Sequence, residues 1–298
     1  MALKAIFSAM KKEGYVVRDL DLYLLSLNDT DSDRAIDVNA PSQVGTCLRA
    51  RYYARTSAPK DGVSIDARTR RIFDNGTKTH ERLQGYLLDQ GMLLMDEVPV
   101  HNYDYNIQGH TDGVLKLSPA EIGILEIKSI NSDGFKDLRD AKEEHKKQGL
   151  VYIFCLEERR KYLRSTHTSR AEFDASLKSR MKEYAELYQH LKSGRKFTRK
   201  QKIQFQCELH AKMDSILFDT RVPITKAVFL YENKNTQDLK EFVVTSQRAE
   251  SKSIIASVLE EFDELNEYVE DGVIPPRCSK NRSDPACRWC SYKTECWN

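Results

Sequence analysis

Asp112, Glu126 and Lys128 are the residues of this 298-residue chain whose types and spacing fit them for chemistry together. They lie in the stretch GHTDGVLKLSPAEIGILEIKSIN. On a strand from Ile122 to Ile130, the residues Ile122, Ile124, Glu126, Lys128 and Ile130 share one face, and Leu125 and Ile127 take the other. Both faces are apolar, so the segment reads as a central strand covered on both sides. A carboxylate and an ammonium are costly in such a place unless they pair or bind a metal. Asp112, at the mouth of the preceding strand, is positioned to converge with Glu126. Hard oxygen ligands of this kind suit Mg2+ or Mn2+, which activate water and stabilise negative charge on phosphoryl oxygens. A lysine two residues beyond a metal carboxylate orients the water or steadies the developing charge. The set suits phosphodiester hydrolysis. His80 would add a nitrogen ligand, favouring Mn2+ somewhat over Mg2+.

A second constellation is made of cysteines. The seven stand at positions 47, 155, 207, 278, 287, 290 and 296. An odd count, with no export signal, argues against a disulfide framework, and the crowding of four into the tail points to metal. Cys287, Cys290 and Cys296 form a CxxC followed by a third thiol six residues on. The fourth ligand must come from elsewhere. Cys47, at the start of CLRARYYAR, is the candidate, and Cys278 is the alternative. Four thiolates suit tetrahedral Zn2+ as well as an iron–sulfur cluster. Cys155 and Cys207 fall in apolar helical contexts and read as packing residues.

The elements that must hold these groups follow from periodicity. A helix entry capped by Ser42 is expected after Pro41. A helix from Asp66 to Asp89 would place Ile72, Gly76, His80, Leu83 and Leu87 on one face, turning His80 towards the core or a cleft. Strands are expected at Met92–Val100 and Tyr103–His110 around a His101-Asn102 turn, then at Thr111–Leu117 and Ile122–Ile130. Helical patterning runs from about Lys136 through Cys155 and on to about Leu217, with a break at SGRKF. Strands return at Lys226–Tyr231 and Lys240–Val244, before a last helix at Arg248–Val269.

Composition is that of a soluble protein, with 40% apolar residues and no run long enough to cross a bilayer. The opening MALKAIFSAMKKEGY has a lysine within its short apolar stretch, so a secretory signal is not expected and a cytoplasmic location is. The formal net charge is only +2, but Arg159–Lys202 holds 14 Lys and Arg against 4 Asp and Glu, about +10. Taken alone, such a run is a solvated helical face. Beside a carboxylate site it also offers Arg159, Arg160, Lys196, Arg199 and Lys200 for tracking phosphates.

Asp112 followed by Glu126-Ile127-Lys128 resembles the D…(D/E)xK signature of the PD-(D/E)xK nuclease superfamily. More narrowly, GTKTHERLQGYL, GHTDGVL, LEIKS and HKKQGLVY are similar, in this order, to the RecB-like nucleases with an iron–sulfur cluster. That group includes phage-encoded exonucleases and CRISPR-associated spacer-processing nucleases. The resemblance implies that His80, Asp112, Glu126 and the Ile127 carbonyl bind Mg2+ or Mn2+, with Lys128 catalytic. His145, Gln148 and Tyr152 match the family's flanking helix, with Gln148 and Tyr152 contacting Lys128 or the DNA backbone. A variant placing that helix at Gln206 and His210 is the alternative. It further implies a structural 4Fe–4S cluster on Cys47, Cys287, Cys290 and Cys296.

The expected fold is α/β: a restriction-endonuclease-like mixed sheet flanked by helices, with a helical insertion and a cysteine cap. One domain is expected over 1–298, with N-terminal helices at 41–90, catalytic sheet and flanking helix at 91–155, basic insertion at 156–222 and returning strands and cap at 223–298. The expected activity is metal-dependent, exonucleolytic cleavage of DNA in replication, recombination or end processing, with a replication or recombination protein as a further partner and no membrane. Two other classes fit the same residues: a catalytically silent DNA-binding scaffold and a zinc-stabilised interaction module. FLYENKNTQ resembles the segment after the nuclease motifs in phage relatives, where Lys234 would reach DNA or serve as a plain turn residue.

Overall fold

Strand β3, Ile122–Ile130, is buried from Ile122 through Ile127 and becomes half-buried only from Lys128 onward. It is the middle of a five-stranded sheet, ordered β1 (Leu93–Asn102), β2 (Ile107–Lys116), β3, β4 (Lys226–Asn233) and β5 (Leu239–Thr245). The β3–β4 pair is parallel and the other three are antiparallel, so the sheet is mixed. Helices flank it, as the sequence implied. The structure, a computed structural model, describes residues 14–27, 37–61, 65–189, 199–288 and 290–298, and the side chains at 183–189 and 199–206 are outside that description. The acidic loop Asn28–Asp33, the SGRKF break with Lys196, and the side chains of Arg199, Lys200 and Gln206 therefore lie outside the described residues.

The chain divides into two compact units. The larger, 40–44 and 83–259, holds the sheet. On one sheet face Leu125 and Ile127 pack with Leu93, Leu115, Val228 and Leu83. Leu83 sits in the last part of the helix Ala67–Asp89. Against the other face runs Glu143–Thr166, whose Gly149 lies so close to β4 that an added Cβ would stand 2.5 Å from Phe229 Cζ and 3.2 Å from Ala227 Cβ. A glycine is needed there because only backbone fits. Two further helices, Arg170–Gln189 and Arg199–Asp219, complete the crossover between β3 and β4.

The smaller unit, 1–39, 45–82 and 260–298, is built from helices and the tail. Helix α1 (Tyr15–Ser26) sets Leu24 and Leu25 on Ala67, and its buried Asp21 pairs with Arg71. Helix α2 (Leu48–Arg55) buries Tyr52 and Tyr53 against Leu265 and Tyr292. Two of its arginines are buried too, and each is paired: Arg51 with Glu261, and Arg55 with Asp37, Asn39 and Asn266. Following the chain, the helix Ala67–Asp89 is α3, Ser132–Asp137 is α4, Glu143–Thr166 is α5, Arg170–Gln189 is α6, Arg199–Asp219 is α7, Ala249–Glu270 is α8 and Lys293–Trp297 is α9.

Several boundaries differ from the sequence expectation, for local reasons. Ser42 does not cap a helix: Pro41–Gln43 is a 3-10 turn, Gly45 takes φ +79°, and α2 starts only after Cys47. The two strands expected at Tyr103–His110 and Thr111–Leu117 are one strand, β2, because no turn residue separates His110 from Thr111. The turn falls instead at Tyr103–Asn106, where Asn106 takes φ +49° and Asn102 Oδ1 accepts from Tyr105 N. The helix expected from Lys136 is interrupted at Leu138, which is extended, and Lys240 Nζ is held by the carbonyls of Phe135 and Leu138. On α3 the expected apolar stripe is only half buried: Ile72 is 37% exposed, whereas Leu83 is at 4%.

The basic insertion spends much of its charge on itself. Arg159 makes two bonds to Asp214, Arg160 pairs with Glu157 and Arg170 pairs with Asp174 and Asp219. Arg159 and Arg160, offered for tracking phosphates, are both paired with carboxylates within the fold, and Arg160 is buried. Cys155 and Cys207 are buried, as expected of packing residues.

Gly149→Ala is expected to destabilise the protein by about 1–3 kcal/mol in urea unfolding, because overpacking against Phe229 outweighs the gain in helix propensity. A neutral or stabilising result would mean that α5 does not approach β4 this closely.

Candidate active site and cysteine cavity

The β2–β3 ladder runs from Lys116↔Ile122 to Gly113↔Leu125 and stops there. Beyond it, side chains take over the bonds that backbone would make. Thr111 Oγ1 donates to the Leu125 carbonyl at 2.8 Å, and Asp112 Oδ2 accepts from Ile127 N at 2.6 Å. The two strands part, and Glu126 sits in the opening at 1% exposure. The sequence expectation that Asp112 and Glu126 converge holds in this geometry.

Glu126 Oε2 accepts from Lys128 Nζ at 2.8 Å, but its Oε1 is buried with no hydrogen-bond partner. Thr111 lies close by and eases the charge somewhat, yet its single hydroxyl hydrogen is directed at Leu125. An unpartnered carboxylate oxygen in a buried place is expensive. Burial, with the neighbouring charge of Asp112 adding to it and Lys128 opposing, pushes the Glu126 carboxyl up to about 7. The hard oxygens of this site fit a divalent cation, which would supply the missing partner for Oε1.

Helix α5 supplies the next layer. Lys128 Nζ also donates to Gln148 Oε1 at 3.3 Å, and Gln148 Nε2 donates to Tyr152 Oη at 3.0 Å. Gln148 and Tyr152 are one turn apart and both buried, so they form a fixed strut behind the lysine. Gln148 reaches Lys128, whereas the His210 ring lies 5.0 Å from that of His101. His145 Nδ1 lies 2.7 Å from Tyr231 Oη, which also accepts from Lys142 N at 3.1 Å. His145 and Tyr231 thus share a hydrogen bond whose direction follows the histidine tautomer. Burial, and then the charge of Lys128, lowers His145 to about 4, so it is neutral at neutral pH. Lys234 lies in the turn after β4, where its N–H donates to the Ile130 carbonyl.

Two residues near Asp112 were missed from sequence. Gln84 Nε2 donates both to the Asp112 carbonyl at 2.8 Å and to Glu97 Oε1 at 3.1 Å. Glu97 lies between the pairs Asp96↔Gly113 and Val98↔Thr111, across from Asp112, and takes φ +44° inside β1. A non-glycine residue in that conformation is strained, and such strain gathers at functional sites. The available signal was an acidic residue at the centre of the strand MDEVPV. His80 belongs to the smaller unit, one turn before Gln84 along α3.

The cysteines are brought together in the smaller unit. Cys47, Cys278, Cys287, Cys290 and Cys296 all line one small cavity, with Tyr53, Tyr292 and Trp297. Cys47 stands at the N-cap of α2, whose orientation is set by the buried Arg51 and Arg55 pairs. Cys287 ends the short turn Pro285–Cys287, capped by Asp284. Cys296 lies in α9, whose start is held by Asp61 accepting from Thr294 N. The Cys278 thiol is within hydrogen-bonding reach of both Cys47 and Cys287, and contact with Cys47, more than burial, pushes it up to about 12. Among the described residues, no group of three or more His, Cys, Asp or Glu side chains is arranged as it would be around a single metal ion. The five cysteines border a common cavity instead. No helix of the described residues is long and apolar enough to cross a membrane.

No known protein family matches the chain by sequence, and no curated protein does. Among solved structures it is similar to the crystal structure of SSO0001, at 13% identity and a TM-score of 0.44, over 95% of this chain and 97% of that one. It is also similar to an alkaline exonuclease from Laribacter hongkongensis, at 10% identity and a TM-score of 0.35, over 84% of this chain and 97% of that one. Neither likeness assigns a role to any residue.

The pH dependence of stability tests the Glu126 environment. Its carboxyl ionises near 4.5 when unfolded and near 7 when folded, so folding takes up a proton between those values. That contribution is complete below about 4.5 and is lost as pH rises through about 7. In EDTA, Glu126→Gln should therefore be more stable than wild type above pH 7, on the order of 1–3 kcal/mol, with the gap closing towards acid. Urea unfolding over a pH series reads it, and a gap independent of pH would contradict the assignment.

Proposed function

We propose that this protein is a metal-dependent deoxyribonuclease of the PD-(D/E)xK kind, in the RecB-like iron–sulfur branch, acting on DNA ends during replication, recombination or end processing. The observation that supports this most is Glu126: a fully buried carboxylate with one oxygen unpartnered, set beside Asp112 and under Lys128. A purely structural ion pair would satisfy both oxygens.

Asp112, Glu126 and the Ile127 carbonyl would hold Mg2+ or Mn2+. When bound, the ion lowers the pKa of water and stabilises charge on the phosphoryl oxygens. The protein's own groups do the rest. Lys128 presents an ammonium beside Glu126, where it can orient the attacking water or meet charge developing on the phosphate. Gln148 fixes that ammonium through its amide oxygen, and Tyr152 fixes Gln148. Glu97, tied to Gln84 opposite Asp112, is the further carboxylate available to the site. The partner is DNA, single-stranded or at duplex ends, and the mode proposed is exonucleolytic.

In the smaller unit, Cys47, Cys287, Cys290 and Cys296 would carry a 4Fe–4S cluster that ties α2 to the tail. Thiols lining one cavity supply the sulfur ligands that such a cluster takes.

Digestion of end-labelled linear and circular DNA, single- and double-stranded, by protein purified without oxygen tests the reading. Cutting should require Mg2+ or Mn2+, stop in EDTA and spare circular substrates. It should fall by roughly 10²–10³-fold or more in Glu126→Ala and Lys128→Ala. Absence of cutting on every substrate, from protein with its cluster intact, would make the chain a catalytically silent DNA-binding subunit.

A further inference from the structure

A cluster of this kind takes four thiolates, and the cavity is lined by five. The extra one is Cys278, and its placement is not incidental. The residue before it, Arg277, donates from Nε to the Cys296 carbonyl at 2.9 Å and lies over the Trp297 ring. The residue after it, Ser279, donates from Oγ to Asp284 Oδ2 at 2.9 Å, and Asp284 Oδ1 accepts from Ala286 N in the turn that carries Cys287. Both neighbours of Cys278 are thus anchored to the segment that holds the other three tail cysteines. Its thiol reaches the sulfurs of Cys47 and Cys287.

We propose that Cys47 and Cys278 are alternative fourth ligands of the one metal-cluster site, so that Cys287, Cys290 and Cys296 are obligatory and either of the other two completes the set. This rests on the proposed reading of the cavity as an iron–sulfur site. Chain connectivity favours such an exchange. Cys278 closes only a short loop back to Cys287, whereas Cys47 must be brought from the far end of the sequence, and loop-closure entropy grows with length. The tail can gather a cluster on its own cysteines, and docking of α2 then offers Cys47 in place of Cys278. The exchange is a ligand substitution without oxidation or reduction. One sulfur–iron bond forms as the incoming thiol releases its proton to solvent, and one breaks as the departing thiolate takes a proton up.

The test is anaerobic reconstitution with ferrous salt and sulfide of the wild type, Cys47→Ser, Cys278→Ser, the double variant and Cys287→Ser. The readouts are iron and acid-labile sulfide per chain and the broad visible absorbance. Wild type and both single variants at positions 47 and 278 should retain most of the cluster, while the double variant and Cys287→Ser lose it. Loss in Cys47→Ser alone, with Cys278→Ser intact and circular dichroism showing Cys47→Ser folded, would overturn the proposal. Should Cys47→Ser fail to fold, alkylation of the cluster-bearing wild type decides: partial labelling of both Cys47 and Cys278 supports exchange, and full labelling of Cys278 with none at Cys47 overturns it. A wild type that takes up no iron and sulfide would overturn the cluster reading itself, a different outcome from any of these.

Discussion

Everything at the larger unit's site follows from burying Glu126 next to Asp112, with the Lys128 ammonium on one of its oxygens. In a low-dielectric interior this arrangement is unfavourable for the ionised pair, and the rise of Glu126 to about 7 is the mark of it. Lys128 and Thr111 oppose the rise without cancelling it. The fold holds the conflict in place: Thr111 and Asp112 take the ladder bonds that β2 and β3 give up, so the strands part beside Glu126 instead of closing over it. The strut of Gln148 and Tyr152 keeps Lys128 from turning away to solvent. Such a site is destabilising for the protein as it stands, and on the proposed function a bound divalent cation would offset that cost.

The smaller unit solves a related problem in another way. Its helix α2 buries two arginines, and it can do so because Glu261, Asp37, Asn39 and Asn266 pair with them. Those pairs fix the direction from which Cys47 approaches the cavity. The tail is short of apolar residues and relies on turns, caps and an aromatic wall of Tyr53 and Tyr292. A cross-link through metal would add what such a small core cannot provide.

Much of this was legible in the sequence where one physical rule dominated. The doubly apolar run around Glu126 marked a central strand, and the i, i+4 spacing of Gln148 and Tyr152 put them on one face. Turn chemistry was harder to read. Asn106 and Gly45 set their boundaries through left-handed backbone, and HNYDYN contains several residues able to turn. The fate of the basic insertion was illegible for another reason: charge counts do not reveal that Asp214 and Glu157 will neutralise Arg159 and Arg160 across helix faces. Glu97 showed only as an acidic residue within a strand, because its significance lies in register with Asp112 and in a strained φ, neither of which a strand pattern records. The fifth cysteine was visible as a residue, but its contact with Cys47 depends on how Arg277 and Ser279 pin the tail.

The most direct measurement is a crystal soaked in Mn2+, with anomalous diffraction recorded for wild type and for Glu126→Gln. The account predicts a peak within coordination distance of the Asp112 and Glu126 carboxylates in the wild type and its loss or marked weakening in the variant. A wild-type crystal that binds Mn2+ elsewhere but shows no density between those two carboxylates would contradict it.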